Sequence, residues 1–369
     1  MDQEDSRIEN QEDSRIENQE DSRIENHQEI LKFRQLIEHY EESIDNLLDN
    51  LVKEIGDFDW LKYLINISKD EASQRTAEWY KQRNACITAS AIHGILSNSK
   101  YKRDKFILEK CGESQYFRSK YTDWGNQYEP VAVNVYEQLR NVKIYDAPLL
   151  THMIYPFIGA SSDGFVLDKN NKRGYLIEIK CPYSRIPNGK IPIHYWEQPQ
   201  IQMEVCKIDK CIFFDCKFRE VKEEEIPKES RIEIPKESRI EIPKESRIEI
   251  PKEHGKEFWG CMIEVFNKEK NDKEYIYNSK LNGTLQQYQK WIKKNTPDPK
   301  NENLIFIRHI FWKLDKFCEV EETRNKKWFK ENLIHLRNIW DEIMVYRELG
   351  LEKLKKDLNK SEYIPPPCI

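Results

Sequence analysis

Near the start of the chain the apolar positions Ile30, Phe33, Ile37, Tyr40, Ile44, Leu47, Leu51 and Ile55 step by three or four residues. That spacing lines one face of an amphipathic helix. Most such stripes are core faces, which predicts docking on the chain's own body, with a partner as the alternative. From Gln74 onward the pattern is globular. Alternating and β-branched runs predict strands at 143–150, 153–158, 162–168, 174–181 and 211–219, with helices near 90–97, 130–140 and 194–207. Beyond these, 260–266 and 274–278 predict strands, 283–295 a helix, 304–318 a pair of strands and 326–357 a long helix. The expected fold class is α/β, a mixed central sheet flanked by helices, with an N-terminal helical extension and a long C-terminal helix.

Two octapeptide arrays stand outside this pattern. The first reads EDSRIENQ from Glu4, repeats from Glu12 and again from Glu20, and ends at His27. The second reads EIPKESRI from Glu225, Glu233 and Glu241 and stops partway at Glu253. Stacked structural repeats have periods of about 20 to 50 residues, and each copy here holds only one or two aliphatic residues, too few to bury a core. The recurring proline of the second array also denies it a central strand or a long helix. Both arrays read as exposed, mobile segments, the first free to be partly helical. The predicted organisation is a repeat at 1–27, a helical extension at 28–70, a globular domain at 71–357 interrupted by the 225–253 insert, and a tail at 358–369.

Charge changes the picture only once it is located. The 369 residues carry a formal net charge of -5, but the first 27 hold ten acids against three arginines. The body is therefore close to neutral, which excludes a uniformly basic nucleic-acid coat and leaves room for a local basic channel. No apolar run reaches the roughly 18 residues of a membrane span, and the polar, acidic start lacks a signal-peptide pattern. The expectation is a cytoplasmic protein that is not secreted. Nine cysteines without a CxxC pair, the tightest at Cys206, Cys211 and Cys216, fit neither zinc nor iron–sulfur spacing and read as reduced, mostly buried thiols. The sequence has no His-x-x-x-His pair, no Gly-Lys-Ser/Thr loop and no Gly-x-Ser-x-Gly, so zincin, P-loop and serine-hydrolase chemistry lack their residues.

The chemistry-bearing pattern lies at Asp163, Glu178 and Lys180. Tyr175 to Lys180 reads as a strand, so alternation puts Glu178 and Lys180 on one face, and Asp163 at the edge of a preceding strand can reach the same point. Two carboxylates for a hard cation beside one ammonium suit Mg²⁺-assisted phosphodiester hydrolysis. A solvent-facing charge alternation is the bland alternative, but the apolar Ile177 and Ile179 point to a buried strand, where unpaired charges are costly. Upstream, Arg83 precedes a predicted helix start at Ile87-Thr88-Ala89-Ser90, which makes an anion pocket; an ordinary N-cap beside a surface arginine is the alternative.

Asp163 within Gly159-Ala-Ser-Ser-Asp163-Gly, followed by Ile177-Glu-Ile-Lys-Cys-Pro182, resembles the PD-(D/E)XK nuclease signature. Further blocks narrow the resemblance to recombination nucleases of the YqaJ or lambda-exonuclease type. They are Trp79-Tyr-Lys-Gln-Arg83 leading into Ile87-Thr-Ala-Ser90, then Trp124-Gly-Asn-Gln-Tyr-Glu129-Pro, and Tyr195-Trp-Glu-Gln198-Pro-Gln-Ile-Gln-Met203. They follow in family order over about residues 74 to 220. Asn325-Lys-Lys-Trp-Phe329 and the helix through Trp340 and Arg347 resemble versions from large DNA viruses.

The resemblance implies a restriction-endonuclease-like core in which Asp163, Glu178 and the main-chain carbonyl of Ile179 hold Mg²⁺, with Mn²⁺ as a substitute. Glu129 would stand near a second ion, although a helix-start acid before Pro130 explains it too. Lys180 would polarise the attacking water, with Tyr195 and Gln198 against it. Arg83, Thr88 and Ser90 would hold a 5′ phosphate, and Ser161 would touch a phosphate. Gln200 and Gln202 read as polar helix positions, and Trp79 and Trp124 as core. The resemblance further implies a 5′ to 3′ exonuclease on double-stranded DNA ends, working in recombination or repair as a ring-shaped homotrimer beside a single-strand annealing protein. Two readings remain beside it: a PD-(D/E)XK endonuclease or RecB-like end-processing nuclease, and a non-catalytic DNA-binding or assembly protein.

Overall fold

A computed structural model describes residues 35–69, 76–97, 99–113, 119–229 and 257–358. The first octapeptide array, the second beyond residue 229 and the tail beyond Leu358 lie outside the described residues. The chain divides into two compact units, Met1–Gly56 and Asp57–Ile369. In the first, residues 35–55 form one helix, α1. Of its apolar stripe, Ile37, Tyr40, Ile44, Leu47, Leu51 and Ile55 are 41–67% exposed. Spacing fixes which residues share a face, not whether anything covers it.

The second unit runs α2 (Asp57–Ile67), α3 (Ala77–Asn84), β1 (Ile87–Thr88), α4 (Ile92–Leu96), α5 (Lys100–Lys110), α6 (Lys120–Arg140), β2 (Lys143–Tyr145), β3 (Leu150–Thr151), β4 (Ile158–Ala160), β5 (Gly164–Asp168) and β6 (Arg173–Lys180). It continues with α7 (Ile193–Cys206), β7 (Lys210–Val221), β8 (Phe258–Asn267), β9 (Asp272–Tyr277), α8 (Leu285–Asn295), β10 (Leu304–Thr323), α9 (Lys326–Leu349) and α10 (Leu351–Leu358). The main sheet has the order β2-β5-β6-β7-β10-β8-β9, and a smaller one the order β1-β4-β3. Within the main sheet β6 and β7 are parallel, and all other neighbours are antiparallel. A parallel pair needs a crossover, and α7 supplies it.

The two sides of that pair are packed differently. Tyr128, Val131, Val135 and Tyr136 of α6 join Ile177, Ile179, Phe214 and Phe218 in one core. Ile201 and Val205 of α7 join Ile87, Ile158, Leu336 and Ile339 in another. With period-two alternation, β6 therefore gives Ile177 and Ile179 to the α6 side and turns Glu178 and Lys180 toward α7.

Several elements differ from expectation. The segment 304–318 is not two strands but part of the single strand β10, which pairs with β8 over Leu304 to Leu314 and with β7 over Phe311 to Thr323. Register shifts between Phe306 and Arg308 and between Leu314 and Lys316 absorb the irregularity that reads as a turn. The helix predicted at 130–140 begins ten residues earlier, at a Ser119–Thr122 capping box, and carries Pro130 in its interior. The long C-terminal helix breaks at Gly350, whose φ of +89° suits glycine. Of 153–158 only Ile158 is in a strand, because the His152 Nδ1 accepts the N–H groups of Ile154 and Tyr155, each at 3.1 Å, and turns the chain. The eight described cysteines are thiols, and all but Cys111 are buried.

Candidate active site

The C-terminal end of β6 gathers the charged groups. The Ile179 N–H donates to Asp163 Oδ2 at 2.6 Å, which ties the residue preceding β5 to the strand beside it. The Lys180 ammonium donates to Glu178 Oε1. Glu178 is fully buried, and its Oε2 accepts from Gln202 Nε2 of α7 at 2.7 Å. The same amide nitrogen reaches the Ser161 carbonyl at 3.1 Å. Tyr195, in the first turn of α7, lies with its ring centroid 5.3 Å from the Lys180 ammonium and 5.9 Å from the Arg185 guanidinium. Arg185 in turn holds Asp215 of β7 at 2.9 Å.

Burial, and then the neighbouring Glu178 and Glu129 carboxylates, push the Asp163 carboxyl well above its usual range, against the pull of Lys180 and the Ile179 N–H. Burial draws the Lys180 ammonium down, but Glu178 and Asp163 outweigh it and hold its pKa above the ordinary value. Three carboxylates thus crowd a site with a single ammonium among the groups acting on Asp163.

The predicted residues do not all arrive as expected. Asp163, Glu178, Lys180 and Tyr195 come together, and Glu129 is near enough to act electrostatically on Asp163. The Gln198 side chain makes no hydrogen bond among the described residues; Gln202, one turn further along α7, holds Glu178. Gln200 points away, donating to Glu322 and the Thr323 carbonyl. Ser161 turns its hydroxyl to the Ala147 carbonyl at 3.0 Å. The Gln202 position was hidden because a helix that is buried nearly all round offers no polar stripe to read: Pro199 to Cys206 are all buried.

A second cluster lies beside the core that Ile87 and Ala89 share with α7. Residues Ile87–Ser90 do not start a regular helix: Ile87 and Thr88 pair with Ile158 and Gly159 as β1, and a 3-10 turn follows at Ala89–Ala91. Thr88 makes no side-chain cap there. Arg83 donates to Ser90 Oγ at 3.2 Å and to Thr88 Oγ1 at 3.5 Å, and stacks over Trp79 at 4.5 Å. Two hydroxyls beside one guanidinium can hold an anion bidentately. The Lys110 ammonium caps the Arg83 carbonyl, and Arg347 of α9 donates to the Lys110 carbonyl at 3.1 Å and the Asn84 carbonyl at 2.5 Å. Lys110 and Arg347 join Arg83 only through the fold.

The chain is similar to several known proteins. Residues 78–209 match the family model of the YqaJ-like viral recombinase domain. An uncharacterized protein of Acanthamoeba polyphaga mimivirus is 32% identical over 320 residues, which cover 78% of this chain and 56% of that relative. The chain thus spans little more than half the length of the curated relative it matches. Among solved structures, an alkaline exonuclease of Laribacter hongkongensis aligns at 16% identity and a TM-score of 0.42 over 78% of this chain and 100% of its own. The same protein with dAMP aligns at 17% and 0.43 over the same shares. A phage-related exonuclease of Haemophilus somnus 129PT aligns at 18% and 0.29, over 36% of this chain and 68% of its own. Asp163, Glu178 and Lys180 thus meet at the end of β6 in a mixed sheet flanked by helices, within the residues 78–209 that match the YqaJ-like viral recombinase domain.

Proposed function

We propose that the protein is a Mg²⁺-dependent deoxyribonuclease, with Mn²⁺ as a substitute, that degrades double-stranded DNA ends 5′ to 3′ in recombination or repair. The observation that carries this reading is the convergence of Asp163, Glu178 and Lys180 on one point at the end of β6. The donor set fits a hard cation: carboxylates crowded enough to lift Asp163 above its usual range would be relieved by a divalent charge. Asp163, Glu178 and the Ile179 carbonyl would hold one ion and Glu129 would help hold a second. Such ions activate water and stabilise the leaving oxygen.

The chain's own groups have distinct tasks. Both Glu178 oxygens have partners: Gln202 holds the carboxylate from turning, and Lys180 would offer its ammonium to the attacking water beside the ion that Glu178 would hold. Arg83, Thr88 and Ser90 hold the terminal 5′ phosphate, which sets the register of the strand end. A homotrimer and a single-strand annealing partner complete the proposal. Among the described residues no helix is long and apolar enough to cross a membrane, and the proposed place of action is with DNA in the cytoplasm or at a viral replication site.

The test is digestion of a 5′-phosphorylated linear duplex and of a closed circle, each with Mg²⁺ and with chelator. Stepwise loss of the linear duplex only with metal is expected. Rapid cutting of the circle would overturn the exonuclease reading, and activity in chelator would overturn the metal-dependent one.

A further inference from the structure

Beside the candidate active site lies an exposed group of aromatic rings and cations that the proposed chemistry does not use. Tyr183, three residues beyond Lys180, is 42% exposed, and Tyr121 in the first turn of α6 is 53% exposed. Their rings meet edge to face at a centroid distance of 5.8 Å, and the Trp124 indole packs edge-on to Tyr183 at 5.3 Å. The Lys120 ammonium sits 5.2 Å from the Tyr121 ring and 5.3 Å from the Tyr183 ring. Lys217 of β7 donates to the Tyr183 carbonyl and lies 6.0 Å from its ring.

Two features separate this group from an ordinary aromatic core. Large aromatic surface is left in water beside two lysines, although burying it would be favourable. The group is also joined to the site by covalent chain: Lys180 and Tyr183 are three residues apart, within roughly 10 Å of reach. Exposed aromatic faces interleaved with cations are what a single-stranded nucleic acid requires, rings for bases and ammonium groups for phosphates. Trp124 and Lys217 give the platform a rigid backing from α6 and β7.

We propose that Lys120, Tyr121, Tyr183 and Lys217 form a stacking platform for unpaired nucleobases of single-stranded DNA next to the scissile position. The ligand class rests on the nuclease reading. A base parted from its complement stacks on Tyr183 or Tyr121, and Lys120 and Lys217 neutralise the adjoining phosphates. Recognition is of the base plane and not of its edges, so the platform tolerates any sequence.

The experiment measures binding of the full-length protein, in chelator so that nothing is cut, to a fluorescently labelled ten-nucleotide thymidine strand and to the same strand with abasic sugars. Tyr183→Ala and Tyr121→Ala are each expected to weaken the base-bearing strand by roughly 5- to 100-fold, to leave abasic binding unchanged, and to keep the thermal midpoint. Tyr183→Phe should bind as the unsubstituted chain does, which separates stacking from loss of fold. Equal affinity of both alanine variants and the unsubstituted chain for the thymidine strand would overturn the proposal, as would an equal loss on the abasic strand. Because no cleavage is read, a platform that binds bases in a chain that fails to digest duplex would stand while the nuclease reading fell. Normal digestion with base-indifferent binding would do the reverse.

Discussion

Gln202 and Glu178 are joined by a 2.7 Å hydrogen bond between two side chains with no solvent exposure, one on α7 and one on β6. This bond fixes the crossover helix to the strand at the carboxylate itself. Replacing Gln202 by Ala leaves a buried carboxylate oxygen without its donor, a loss of about 1–3 kcal/mol. A lower thermal midpoint and a fall in kcat larger than the rise in KM on linear duplex are expected. A variant with unchanged kcat would show that Glu178 needs no such support.

Lys180→Ala should reduce cleavage of end-labelled duplex in Mg²⁺ by about 100- to 1000-fold, the usual loss when one group stabilising developing charge is removed. Glu178→Gln should lose at least as much and should also weaken Mg²⁺ binding in calorimetry. Equal activity of Lys180→Ala and the unsubstituted protein would remove the role given to that ammonium.

Arg83 bonds the hydroxyls of Thr88 and Ser90, and no carboxylate among the described residues. Arg83→Ala should therefore reduce the preference for a 5′-phosphorylated over a 5′-hydroxyl end by about 10-fold or more, the worth of one charge-assisted hydrogen bond. Initial rates on the two ends check it; an unchanged ratio would place the phosphate elsewhere.

Burial lowers the Lys110 ammonium to about 8. A cation whose pKa is depressed by folding binds fewer protons folded than unfolded between that value and its ordinary 10.5, so stability rises with pH across this window and the penalty is fully present below it. Each pH unit within the window contributes at most about 1.4 kcal/mol. Denaturant unfolding from pH 7 to 10 should show a positive slope that Lys110→Met lacks; parallel curves for the two proteins would contradict it.

How much of this was legible in the sequence depends on the distance over which each residue acts. Glu178 and Lys180 share a face because strands alternate, and Asp163 falls near them because a short hairpin joins β5 to β6; both relations are local. Gln202 could not be told from Gln198 or Gln200, since choosing among three glutamines on a buried helix needs the rotation of α7 over the sheet. Lys110 and Arg347 meet Arg83 from elements far apart in sequence. The apolar stripe of α1 is local and plain in the sequence, but what covers it is a property of neighbours. The strand pair expected at 304–318 failed because bulges and turns both interrupt alternation, and only the pairing with β7 and β8 distinguishes them.

The length of β10 also governs when the site can be finished. The far edge of β7, which pairs with the candidate-site strand β6, is closed by residues 311–323, made about a hundred residues later. Until that segment leaves the ribosome, β7 presents its donors and acceptors to any other extended chain. The octapeptide insert lengthens precisely the interval between β7 and β10 during synthesis, so variation in repeat number changes how long a nascent, half-built sheet must wait.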